Sequence, residues 1–228
     1  MPARMRGHAL NVIYLHGFAS SAKSTKGTFF AARLRERGVT LHCPDFNAPD
    51  FSSLTITRMI EQVEEVINAR PGQTPTLIGS SLGGFVAVQV ALRRRIERLL
   101  LLAPAIDFSG NRLREIGDRS VEEWERTGVL NVFHYGHGQM VPVSYALYTD
   151  ACKYSGVDAQ LSMPIQVFQG RWDTAVDPES VERWSRARPN VELHMLDDDH
   201  QLTASLEIIW KRAEPFLFSG TDHQQIPK

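Results

Sequence analysis

The chain has 228 residues, 43% hydrophobic and 22% charged, with a formal net charge of −1, which suits one α/β domain with a sizeable core and gives no electrostatic ground for nucleic acid as a partner. No apolar run reaches the roughly 18 residues that span a bilayer, and residues 10–15 are too short for a signal-peptide core, so no membrane partner is expected. The two cysteines, Cys43 and Cys152, have no metal, redox or disulfide spacing, and the expectation is a cytoplasmic protein with no metal and no cofactor.

Short β-branched runs alternate with helical segments from the start. A first strand over 9–15 ends in His16-Gly17, and a helix over about 27–37 is stopped by Gly38. A second strand, 39–43, closes at Pro44-Asp45; a helix over about 54–69 ends at Pro71-Gly72. A third strand, 76–79, runs straight into a helix from Leu82 to about Arg94, where Arg93, Arg94 and Arg95 suit the negative end of the helix dipole. The fourth strand is 99–103.

The alternation then breaks. Residues 107–162 lack a clear strand and hold two predicted helices, 121–127 and 142–154, around the aromatic- and glycine-rich stretch 132–138. An insertion of this size exceeds an ordinary crossover and suits a small helical lid. Its Phe133, Tyr135, Tyr145 and Tyr148, with Trp172, are candidates for an apolar pocket; core packing explains the same rings equally well. The pattern resumes with a strand at 164–169, a helix at 178–186, a strand at 191–196 and a helix over 202–218. A polar tail, 219–228, is expected to be disordered. Six strands with right-handed crossovers predict one doubly wound, mostly parallel sheet in a single domain over 1–228. With the first strand between the second and third, a ligand crevice opens beyond their carboxyl ends.

Gly79-Ser-Ser81-Leu-Gly83 lies at that edge, between strand and helix. The G-x-S-x-G pattern in this setting marks a serine on a strained turn with its hydroxyl clear of the sheet. Ser81 takes the central slot and Ser80 the variable one. A serine hydroxyl needs a neighbouring base, and histidine suits neutral pH. Of eight histidines, His200 follows the last strand at its carboxyl edge. A carboxylate to orient it should come from another loop on that edge. Asp173, just after the fifth strand, is preferred; Asp177 precedes Pro178 and fits a helix N-cap, and 197–199 adjoin His200 too closely to reach its far nitrogen.

The order Ser81, Asp173, His200 is that of the α/β hydrolases, and the chain resembles that superfamily along most of its length. Tyr14-Leu-His-Gly-Phe-Ala-Ser-Ser21, Gly79-Ser-Ser-Leu-Gly-Gly84 and Val141-Pro-Val-Ser-Tyr145 are similar to the small bacterial YqiA-like esterases. The superfamily's usual leading hairpin has no room before the first strand, as in compact members. The resemblance implies a serine esterase acting on a small-molecule carboxylic ester or thioester, with the backbone N–H groups of Phe18 and Leu82 as oxyanion hole. His16 would be structural. Two other readings compete. Residues 17–24 match a phosphate-binding loop except that Ala22 replaces its second glycine, which would make the chain a degenerate nucleotide-binding protein. A catalytically silent binding module on the same fold is the other. Lys23 and Lys26 are expected on a solvated surface, the alternative being the pocket mouth, where they would favour acidic substrates.

Overall fold

A computed structural model describes residues 10–108 and 121–219. Six parallel strands form one sheet in the order β2 (Leu41–His42), β1 (Asn11–Leu15), β3 (Pro75–Ser80), β4 (Arg98–Leu102), β7 (Ile165–Gly170) and β8 (Val191–Leu196). The first strand does lie between the second and third. Alternation along each strand serves both faces, because successive side chains point to opposite sides. Val12, Tyr14, Leu100 and Leu102 pack with α1 (Thr25–Glu36) and α7 (Leu206–Phe218). Ile13, Leu15, Leu99 and Leu101 pack on the other face with α2 (Ile56–Asn68), α3 (Leu82–Ala91) and α6 (Pro178–Arg186). A sheet covered on both sides reads as continuous apolar runs, as these strands do.

The helix α3 is apolar apart from Gln89, and every residue in it is buried. It ends at Ala91, short of the arginines. Arg93 lies just beyond and donates to the carbonyl of Gln89, at 2.5 Å, the end of the helix where a cation is favoured.

The inserted segment departs from expectation. Its helix α4 (Val121–Thr127) is where the sequence placed it, but residues 129–144 form an antiparallel hairpin, β5 (Val129–His134) with β6 (Gln139–Ser144). The predicted helix over 142–154 shrinks to α5 (Ala146–Ala151), with Pro142 inside a strand. Alternation explains it: Leu130, Val132 and His134 are buried while Val129, Asn131 and Phe133 are exposed. Pro142 is tolerated because both strands of a two-stranded ribbon are edges. The turn 135–138 closes through Gly138 at φ +68°, with His137 and Gly138 N–H groups donating to the His134 carbonyl. The hairpin is fastened to the β1 loop. Tyr135 N–H donates to Ala19 O at 2.8 Å, and the His134 ring bonds Asn47, whose amide donates to Ser20 O at 2.9 Å. The last helix begins at Leu206 rather than 202, because Leu202 adopts φ +54° and residues 197–205 form a loop instead. Of the tail, 220–228 lie outside the described residues, as do 109–120 of the insertion. No helix among the described residues is long and apolar enough to cross a membrane.

Candidate active site

The serine turn is built from backbone contact. Ser81 sits at φ 52°, ψ −117°, a conformation in which an L-residue is strained, directly before α3. Its amide donates to Leu102 O at 2.9 Å, and its carbonyl accepts from the N–H groups of Gly84 and Ala105. The flanking glycines follow from crowding. A Cβ on Gly79 would stand 2.6 Å from Gly83 O, and one on Gly83 would run into the carbonyls of Leu15 and His16. Helix and strand cross almost in contact, so neither position has room for a side chain. Leu82 opens α3, and its amide is one of the first-turn N–H groups that a helix leaves unpaired. The loop after β1 lies alongside, since a Cβ on Gly17 would be 3.4 Å from that of Ser81. His16 holds this loop: Nδ1 bonds Gly17 O at 2.9 Å, and Nε2 accepts from Phe46 N–H at 3.1 Å. Burial lowers its pKa, which favours this neutral tautomer. Phe18 follows it, its ring against Phe51.

Three residues separated widely in sequence meet beyond the strand ends. His200 Nε2 is 3.1 Å from Ser81 Oγ, and His200 Nδ1 is 2.8 Å from Asp173 Oδ2. The Asp173 carboxylate receives three further hydrogen bonds, from Ala175 N–H (2.8 Å) and Val176 N–H (2.7 Å) on Oδ1 and from Gln169 Nε2 (2.8 Å) on Oδ2. Burial of the carboxylate raises its pKa, but the His200 hydrogen bond and charge, the Val176 amide and Gln169 outweigh it and hold the group below its ordinary value. An ionised carboxylate only accepts, so Nδ1 carries the imidazole proton. In the neutral ring Nε2 then presents its lone pair to the Ser81 hydroxyl.

The alternatives for the acid have other tasks. Asp177 caps α6, accepting from Glu179 and Ser180 N–H groups. Asp198 accepts from Asp199 and Ser205 N–H groups, Asp199 accepts from Gln201 N–H, and Asp197 pairs with Arg171. Ser80 is buried, and so is Tyr14, whose hydroxyl pKa burial pushes up to about 12.

The candidate pocket rings are dispersed. Tyr145 and Tyr148 stack on each other, with centroids 5.4 Å apart, and meet Trp124 edge-on within the insertion. Phe133 and Tyr135 form an edge-to-face pair on the exposed side of the hairpin, and Trp172 stands exposed beside Asp173. Sequence reasoning missed Gln169 and Lys26. Gln169 offers no pattern of its own. Lys26 does: it precedes the buried Phe30 and Leu34 by four and eight residues, and helical periodicity puts all three on one face. The amine is buried, not solvated.

The hydrogen bonds on Asp173 make its stability contribution pH-dependent. A carboxyl held low in the folded protein stabilises it above the unfolded value of about 4, and that contribution is lost as pH falls through the lower folded value. Asp173→Asn places an amide among four donors and is expected to cost about 1–3 kcal/mol near neutral pH. In urea denaturation the gap between variant and wild type should close below about pH 4; a gap independent of pH would contradict the ionised assignment.

The chain belongs to the uncharacterised protein family UPF0227, whose family profile matches residues 11–214. No curated protein matches it in sequence. Among solved structures, a protein of Agrobacterium vitis S4 superposes with a TM-score of 0.81 at 21% identity, over 95% of this chain and 91% of that one. Est1E from Butyrivibrio proteoclasticus, solved with ferulic acid bound, gives 0.80 at 19% identity over 96% and 92%. Mouse alpha/beta hydrolase domain-containing protein 10 gives 0.75 at 17% over 91% and 89%. The fold is that of the α/β hydrolases.

Proposed function

We propose that this member of UPF0227 is a serine hydrolase that cleaves carboxylic esters or thioesters of small to medium acyl groups in the cytoplasm, with no cofactor. The observation that carries the reading is the continuous hydrogen-bonded chain from Ser81 Oγ through the His200 ring to the buried Asp173 carboxylate. Ser81 Oγ attacks the acyl carbonyl while His200 Nε2 takes its proton, and Asp173 stabilises the resulting imidazolium. The amides of Phe18 and Leu82 donate to the oxyanion; a donor of this kind contributes about 3–4 kcal/mol to the transition state. The imidazolium protonates the departing alcohol or thiol. Water, deprotonated by the same nitrogen, then releases the acid from Ser81. Of the candidate rings, the exposed Phe133, Tyr135 and Trp172 are the ones free to contact an acyl group, while Tyr145 and Tyr148 pack against Trp124 within the insertion. Est1E, of the same fold, binds ferulic acid, a carboxylic acid of the kind such a reaction releases.

A nucleotide-binding role for residues 17–24 has less support. Ser24, which would face a phosphate-bound metal in such a loop, instead caps α1 by accepting from Gly27 N–H at 3.2 Å. A silent binding module, in turn, has no use for a carboxylate that sets the tautomer of His200.

A profile of purified protein against p-nitrophenyl esters and acyl thioesters of graded chain length tests the reading. Turnover peaking at short or medium acyl length is expected, together with stoichiometric labelling of Ser81 by a fluorophosphonate, in which Oγ displaces fluoride from phosphorus. Absence of both turnover and label would overturn it.

A further inference from the structure

Lys26, the second residue of α1, is only 7% exposed. Two effects oppose a charge there. Burial disfavours the ammonium, bringing its pKa down to about 8 against the pull of Asp173, Asp199 and Asp198. The positive end of the α1 dipole opposes a cation as well. A methionine of similar length would meet neither objection, so the amine needs a local reason.

That reason lies in what it touches. Lys26 Nζ donates to Gln201 O at 2.9 Å and to His200 O at 3.3 Å, two consecutive carbonyls of the loop between β8 and α7. Fixing two successive carbonyls to one point on another element sets the peptide plane between them, and with it the direction in which the His200 side chain leaves the backbone. The loop's other ties run within itself, through Asp198 to Ser205 and Asp199 to Gln201, or to the turn after β7, where Trp172 N–H donates to Asp198 O at 3.1 Å and Arg171 pairs with Asp197. Lys26 anchors it to α1 instead. The anchor is rigid: Phe30 packs edge-on to Trp210, and Arg33 pairs with Glu207 at 2.5 Å.

We propose that Lys26 is a positioning residue for His200, holding the imidazole between Ser81 and Asp173 through the backbone of its loop; the inference rests on the serine-hydrolase reading. Reacting groups displaced by about 1 Å lose on the order of 100-fold in rate, so a partial release of this loop should be visible in the chemistry before it is visible in the fold.

The test compares Lys26→Met, Lys26→Gln and Lys23→Met, the last at an exposed position in the turn that leads into α1. Three quantities are read: the rate of Ser81 labelling by a fluorophosphonate, kcat and KM on a p-nitrophenyl ester, and the downfield proton NMR signal of the His200 Nδ1–H bonded to Asp173. Lys26→Met is expected to slow labelling and kcat about 10-fold with KM within about twofold, and to broaden or shift the downfield signal. Lys26→Gln keeps donors on a shorter chain and should recover part of the loss, while Lys23→Met matches wild type. Wild-type labelling and an unchanged signal in Lys26→Met would overturn the proposal, as would an equal loss in Lys23→Met. Should Lys26→Met fail to fold, unchanged labelling and signal in Lys26→Gln overturn it equally. Wild-type protein that takes no label overturns the serine-hydrolase reading and this inference together.

Discussion

Ser81→Ala is expected to lower ester hydrolysis by about 10⁴- to 10⁶-fold while leaving the folded structure in place. In the proposed reaction the hydroxyl is the nucleophile, whereas the turn is held by backbone. The Ser81 amide bonds Leu102 O, and its carbonyl accepts from Gly84 and Ala105, and alanine keeps all three bonds. Alanine also accepts φ 52° at much the same cost as serine, so unfolding in urea should change little. Ser80→Ala is the contrast. It removes a buried hydroxyl and should cost about 1 kcal/mol of stability with activity retained, because Ser80 takes no part in the hydrogen-bonded chain of Ser81, His200 and Asp173. His200→Ala should lose nearly as much activity as Ser81→Ala, and the double variant little more, since the three side chains act as a unit. Steady-state rates on one ester across wild type and the four variants decide it. Hydrolysis undiminished in Ser81→Ala would remove this serine from the mechanism.

Gly83→Ala is expected to destabilise the protein by more than about 4 kcal/mol, lowering the melting temperature by roughly 10 °C or failing to fold. The added methyl would fall on the carbonyls of Leu15 and His16, atoms of the β1 backbone and of the loop that follows it. Those atoms cannot yield independently. Leu15 pairs with Gly79 in the sheet, and His16 is pinned through both ring nitrogens. Movement of α3 away from β1 would drag Ser81 off His200, so any folded fraction should also have lost activity per molecule. Gly38→Ala provides the control. That glycine has φ +72° with open space around it, so alanine there bears only a left-handed backbone, about 1–2 kcal/mol, and activity is untouched. Thermal and urea unfolding of the two variants separate steric crowding from conformational freedom. Equal stability of Gly83→Ala and wild type would refute the close crossing.

Much of the sheet was legible because its signals are local. The central strands are short apolar runs with glycine or proline near their ends, and Val191–Leu196 and Pro178–Arg186 have the predicted limits. The hairpin in the insertion was harder to read. Its alternation runs for only six residues on each strand, and Pro142 argues against a strand unless the strand is known to be an edge. The start of α7 was misjudged for a related reason. Leu202 and Leu206 continue the helical period of α7, but Asp198 accepts the Ser205 amide, and that bond between residues seven apart keeps 197–205 a loop.

Sequence by itself determined the parallel order of elements and the crowded glycine–serine turn, both consequences of backbone sterics within a few residues. It also singled out Asp173 and His200, as residues at the carboxyl ends of strands. Tertiary structure decided what no local pattern encodes: that the sheet brings positions 81, 173 and 200 within hydrogen-bond distance, that four donors fix the Asp173 carboxylate, and that the Lys26 amine is buried against the His200 loop rather than in water. The reason is range. Steric limits on φ and ψ act between neighbours in sequence, whereas burial and hydrogen-bond partners are set by segments that meet only once the chain has folded.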